Sequence, residues 1–394
     1  MHIRSGLWAG LVLAVIAGVS GQACLAGTPT AQMTPLILSV QDAPVPFLGS
    51  DGRVHLVYEL WLENFSSGDV ALKSVEVLGD GAALQRLDAG AIASRLQPAG
   101  TRAPTGTLAK SAQGLLFLHV ALDTGAPIPK QLSHRITMRV AAAPPGSEEM
   151  TESGGVSEVD HRKVAVIGPP LRGERYISAD SCCDASRHTR AALPINGRVW
   201  LGQRFAVDWE QMDSQDRIYS GPKEDPKSYT IFGQEALAVA DGSVSSITEG
   251  QAEQVPGKYP TRISLDEADG NSVILDLGNQ QYALYAHMQP GSIKVHPGER
   301  VKRGQVLGLV GNTGNSLAPH LHFQVMDGPS SLTANGLPYE IDQFEVTGKT
   351  PGTEAFDEAE EKGVPVPITA IPPPHTVKEA LPLDQLVVSF AASR

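Results

Sequence analysis

Residues 34–143 alternate apolar and polar positions in short runs broken by turn clusters. In Val57-Tyr58-Glu59-Leu60-Trp61-Leu62 the period is close to two, as expected of a strand, and the run leads into the turn-forming Asn64-Phe65-Ser66-Ser67-Gly68-Asp69. Runs at 70–77, 114–122 and 134–140 repeat the pattern, and their spacing predicts an antiparallel β-sandwich of about seven strands at 34–143. A Pro-, Gly-, Ser- and Glu-rich stretch follows, and 144–163 reads as a linker. Residues 164–346 form a second β-rich domain, with strands expected at 204–209, 237–240, 243–247, 272–277, 282–287, 305–310 and 320–326. The polar segment 208–233 reads as a long surface loop, of the kind that covers sites. The remainder, 347–394, reads as an acidic, Pro-rich tail with a closing strand at 386–390. The fold class is all-β.

Composition narrows this picture. With 40 Gly and 29 Pro in 394 residues the chain exceeds the average usage of about 7% and about 5%, which excludes a helical bundle or a coiled coil. A net charge of −12, with no long run of Lys and Arg, excludes nucleic acid as a partner. The only long apolar stretch, 7–19, follows His2 and Arg4. It is too short for a membrane span and reads as the core of a signal peptide at 1–26, so the mature protein is expected to be secreted or periplasmic, in the cell envelope, without lasting membrane insertion. A lipoprotein anchored at Cys24 is the weaker alternative, because Gly21 stands where a branched apolar residue is usual. Cleavage leaves two adjacent cysteines, Cys182 and Cys183, which cannot staple distant loops. They form either a vicinal disulfide or buried thiols, or they lend a thiolate to a metal.

Chemistry concentrates in the second domain; the sandwich shows no cluster of titratable residues and is expected to be a spacer, a binding surface or a cover. In His320-Leu321-His322-Phe323-Gln324-Val325, alternation puts both histidines and Gln324 on one face and the apolar residues on the other. The same parity places His287 and Tyr285 together in 282–287, and Arg204 and Asp208 together in 204–209 with Phe205, Val207 and Trp209 turned inward. Tyr285 and Asn312 are candidates to line a groove.

These residues lie in a specific frame. Tyr285-Ala286-His287-Met288, then Pro297-Gly298-Glu299, Gly304-Gln305, Gly308-Leu309-Val310-Gly311-Asn312-Thr313-Gly314 and Pro319-His320-Leu321-His322-Phe323 closely resemble the catalytic domain of the M23 family of zinc endopeptidases, the lysostaphin and LytM type. The resemblance spans about 188–330; a bare H-x-H is weak evidence, but one after this glycine ladder is specific. It implies a β-sheet core of the duplicated hybrid-motif type and hydrolysis of peptide bonds in bacterial cell wall, with peptidoglycan peptides as the partner. It also implies His322 and Asp208 as zinc ligands, and His287 and His320 as the pair that orients and deprotonates the attacking water. Three protein ligands and one open position suit catalytic zinc.

One position departs from the family. Its first ligand is a His four residues before the Asp, and Arg204 stands there. A guanidinium has no lone pair to offer a metal. On the face expected for Asp208 it is placed to pair with that carboxylate instead. His188, in Arg187-His188-Thr189-Arg190, or a thiolate of Cys182 or Cys183 fits as a replacement ligand. The sequence therefore leans towards a secreted zinc metalloendopeptidase. Its alternative is a catalytically degenerate M23-like module that binds cell wall or regulates a partner hydrolase.

Overall fold

The computed structural model of the protein describes residues 32–390, so the expected signal peptide and the lipoprotein site at Cys24 lie outside the described residues. Strands β1 (Val54–Asn64) and β2 (Gln113–Leu122) pair antiparallel, Glu59 opposite Phe117. Their alternate residues Leu56, Tyr58, Leu60, Leu116, Leu118 and Val120 share one apolar core with Val70, Val75, Val77, Ile136 and Met138. That core is enclosed by two five-stranded sheets. The first runs Leu36–Ser39, β1, β2, Leu96–Pro98, with Phe47–Leu48 added to β1; the second runs Glu149–Glu158, Gln131–Val140, Val70–Gly79, Ala82–Asp88, with Thr107–Leu108 added. The stretch expected as a linker thus contains a ladder strand, Glu149–Glu158, because Met150 packs on the core and Glu152 is buried against it.

The outer face of β1 and β2 is covered too. Val57 and Phe47 belong to the core of the second half, and Leu115 and Phe117 pack with Leu201, Trp61 and Ala192. From Pro35 onward the chain is a single compact unit.

The second half is built on a twelve-stranded sheet. Its central members are β3 (Gly173–Ala179), β4 (Val207–Gln211), β5 (Asn271–Gly278), β6 (Gln281–Met288), β7 (Leu321–Met326), β8 (Tyr339–Lys349) and β9 (Leu386–Phe390). Across the sheet the order is Ala165–Ile167, β8, β9, β3, β4, β7, β6, β5, Gly242–Thr248, Arg300–Val301. Trp209, Tyr285, Phe323, Tyr339 and Phe344 fill its core, which makes the protein mostly β, as the alternation required.

Two expectations are corrected here. The described part of 347–394 is no tail: β9 lies between β8 and β3, and Thr369–Ala380 pairs with β8. Pro372, Pro373 and Pro374 are tolerated because that strand is an edge, where a missing N–H breaks no inner ladder. The 208–233 segment is not merely a surface loop either. Met212, Ile218 and Tyr229 are buried in a small apolar cluster with Phe356 and Ala359 of helix α1 (Thr353–Lys362). No helix among the described residues is long and apolar enough to cross a membrane.

Candidate metal centre

Register brings the chemistry together. Asp208 on β4 and Ala286 on β6 both lie opposite His322 on β7, so Asp208 and His322 are neighbours on one face. Their backs are core: Tyr285 faces Phe323, ring to ring at 5.2 Å, and the Tyr285 hydroxyl accepts the Val239 N–H at 2.9 Å. Tyr285 is therefore packing and lines no groove. Asn312 is fully buried as well, donating to the Gln254 carbonyl and accepting from Ser316.

The expectation that His287 and Tyr285 share a face fails at one torsion. By alternation His287 would follow Tyr285 into the core, but its φ is +62°, a left-handed backbone that returns the ring to the histidine side. There it lies 4.7 Å from the His320 ring and 5.9 Å from the His322 ring. Glycines allow this bend. A Cβ at Gly311 would fall 2.6 Å from the Gln289 nitrogen, so only Gly lets this segment run against β6, where the Gly311 N–H donates to the His287 carbonyl at 3.0 Å.

Three imidazoles surround the Asp208 carboxylate, with His287 behind them against His320 and His322. His322 Nδ1 is 2.8 Å from Oδ1, His320 Nε2 is 3.4 Å from the same oxygen, and His188 Nε2 is 3.3 Å from Oδ2. The outward nitrogen of each ring meets a protein acceptor: His188 Nδ1 the Asp180 carbonyl, His320 Nδ1 the Ala318 carbonyl, His287 Nδ1 the Thr313 carbonyl, and His322 Nε2 the Gln324 amide oxygen. Once an inner nitrogen has given up its proton, donating outward fixes the tautomer and turns a lone pair inward, which is how metal-binding imidazoles are oriented.

The donor set fits a cation. Donor atoms of His188, Asp208 and His322 all lie within 4.8 Å of one another, as do those of His287, His320 and His322. Tetrahedral zinc with bonds of about 2.0–2.1 Å separates its donors by about 3.3 Å, close to the spacings around Asp208. Charge agrees with geometry. Burial raises the Asp208 carboxyl, but the His188 and His320 charges overrule it and hold the group well below its usual range. Burial lowers His188, and the Asp208 charge more than reverses this, lifting it to about 9. His320 is raised in the same way, whereas burial and the two neighbouring imidazoles hold His287 well below its usual value. The pocket retains positive charge beside Asp208 and keeps His287 neutral.

Arg204 is not in this pocket. The turn before β4 carries it to the other half of the molecule, where Nε and Nη2 fork onto Glu59 at 2.9 and 2.5 Å, both side chains buried. The expected pairing with Asp208 is absent because strand alternation begins only at Val207. Cys182 and Cys183 are joined in a disulfide, so neither offers a thiolate. His188, on the short helix Ser186–Thr189, is the imidazole beside Asp208 Oδ2.

Sequence reading missed the backbone acceptors, which carry no side-chain signal, and Glu210. The latter follows Asp208 on the same strand face; burial, then the charges of Glu360 and Asp208, push its carboxyl well above its usual range. The period-two pair of acids on β4 is the signal that marks it. It also missed His55 and His119, 2.8 Å apart on the outer face of the sandwich, which was expected to hold no such cluster.

A carboxylate ringed by imidazoles, on a β-sheet scaffold, is the donor chemistry of a metal site. Residues 229–334, which contain His287, His320 and His322, match the model of Peptidase family M23. His188 and Asp208 lie outside that match. The chain is 33% identical over 166 residues to an uncharacterized metalloprotease of Haemophilus influenzae, covering 40% of this chain and 34% of the relative. It is 34% identical over 91 residues to the peptidoglycan DD-endopeptidase ShyC of Vibrio cholerae serotype O1, covering 23% of this chain and 20% of that protein. Both alignments cover about a third or less of the relative's own length. The solved catalytic domain of lysostaphin from Staphylococcus simulans aligns with 42% of this chain and 86% of its own at 24% identity and a TM-score of 0.22.

Proposed function

We propose that the protein is an exported zinc-dependent endopeptidase of the M23 type that hydrolyses peptide bonds in bacterial peptidoglycan. The observation that carries this reading is His188 Nε2 beside Asp208, which provides the imidazole that Arg204 cannot. His188, Asp208 and His322 would hold the zinc. Bound there, zinc supplies a Lewis acid and a nucleophile at neutral pH.

The chain's own residues do the rest. His287 and His320 present Nε2 on the side of the ligands, each held by a carbonyl behind it. They are placed to take a proton and to donate a hydrogen bond to an oxyanion on a scissile carbonyl. Export is supported by the apolar stretch at 7–19 and by the Cys182–Cys183 disulfide, which persists in oxidising compartments.

The purified chain is expected to hold close to one zinc, to lose it on Asp208→Ala, to bind it measurably more weakly on His188→Gln, and to release peptides from peptidoglycan only when loaded. A chelator-free preparation devoid of zinc would sink this reading and leave the non-catalytic wall-binding module standing.

A further inference from the structure

His188 reaches the centre on a segment that the large sheet does not hold. Between β3, ending at Ala179, and β4, beginning at Val207, the chain makes an excursion with no ladder bond to its neighbours in that sheet. Its regular elements are the four-residue helix and a hairpin, Leu193–Ile195 with Arg198–Trp200, paired only to itself. One helical turn is not stable alone. A ligand must nevertheless be fixed to a fraction of an ångström.

The N-terminal sandwich grips this excursion on both sides of His188. Four residues before it, Asp184 accepts from His119 Nδ1 at 3.0 Å and from the Arg95 guanidinium. Two residues after it, Arg190 donates to the Ser94 carbonyl at 2.5 Å and lies 5.7 Å over the Phe117 ring. Where the chain returns to the sheet, Arg204 forks onto Glu59. Leu201 is buried between these anchors against Leu115 and Phe117.

We infer that the sandwich is a working part of the metal centre: Glu59, Arg204 and Asp184 are positioning residues that hold His188 against Asp208. The sandwich is then neither a spacer nor a removable cover. This inference rests on His188 being a zinc ligand, the reading proposed above.

Zinc affinity of the full chain, measured by competition with a chromogenic chelator, tests it in a double-mutant cycle. Glu59→Gln and Asp184→Asn are each made in the unaltered chain and in His188→Gln. Asp184 is half exposed, so its variant keeps the test open should Glu59→Gln fail to fold. The expected result is at least a tenfold loss of zinc affinity from each variant in the unaltered chain. No further loss is expected in His188→Gln, because the variants act through that ligand. Cobalt loaded in place of zinc should show a changed d–d spectrum in Asp184→Asn, while circular dichroism stays that of the unaltered chain. Unchanged affinity in folded variants, or an equal loss in both backgrounds, overturns the inference and leaves the zinc reading intact. An unaltered chain that binds no zinc overturns both.

Discussion

Glu59 and Arg204 form an ion pair in a dry place, 4% and 6% exposed, with the Asp42 carboxylate 3.9 Å away as the only other anion within ion-pair reach of the guanidinium among the described residues. Replacing Glu59 with Gln keeps the shape and removes the charge. Arg204 then stays buried with a distant partner, and breaking one side of such a pair costs about 3–5 kcal/mol. Asp42 offsets part of this, so about 3 kcal/mol is expected. With a urea slope of about 3 kcal/mol per molar, the unfolding midpoint should fall by about 1 M. The double variant Glu59→Leu/Arg204→Met removes both desolvation costs and should recover most of the loss or exceed the original, since apolar replacement of buried pairs is often neutral or stabilising. Trp61, Trp200 and Trp209 report the transition by fluorescence, with zinc chelated throughout. A single variant with an unchanged midpoint, or a double variant no better than the single, would refute the reasoning.

Three further outcomes follow from the centre. Because His188 is lifted from an ordinary 6.5 to about 9, its inner nitrogen carries a proton at neutral pH that must leave before a cation binds. Zinc affinity should therefore rise by up to about tenfold per pH unit and level off above about pH 9; affinity that is flat between about pH 6 and 8 contradicts this. The same shift gives the metal-free protein stability that is complete below 6.5 and lost as pH rises through about 9, read as a falling urea midpoint. Gly311→Ala would press a methyl to 2.6 Å from the Gln289 nitrogen, costing about 1–3 kcal/mol of stability and displacing His287. Peptidoglycan hydrolysis should fall more than stability does, and a variant as active as the unaltered chain argues against the role given to His287.

The sequence made some of this centre legible and hid the rest for definite reasons. Alternation placed His320 and His322 on one wall, whereas Asp208 was joined to them only by the resemblance to the M23 family; the register of β4 on β7 sets it opposite His322. It misdirected His287, since periodicity carries no information about a single left-handed torsion. Alternation carried back to residue 204 puts Arg204 beside Asp208, but the strand starts at Val207 and in the turn before it no parity applies. Its partner Glu59 looked like an ordinary solvent-facing position of β1. The clue was nearby: Val57 and Trp61 are apolar at the same parity, so that face had to be covered. Backbone carbonyls that orient three of the four imidazoles leave no trace in residue identity at all.

The supports of His188 are distant in the chain in both directions. Arg204 reaches back 145 positions to Glu59, and the Ser181 N–H reaches forward 203 positions to Asp384, whose own N–H returns to the Cys182 carbonyl. Contacts of such separation close late in folding, since the loop entropy must be met first. The histidines of β6 and β7 can meet β4 without residue 384, whereas the excursion that carries His188 is then still open at one end. The anchors of His188 thus depend on both flanks of the chain, and a fragment lacking either would keep His188, Asp208 and His322 without the contacts that gather them.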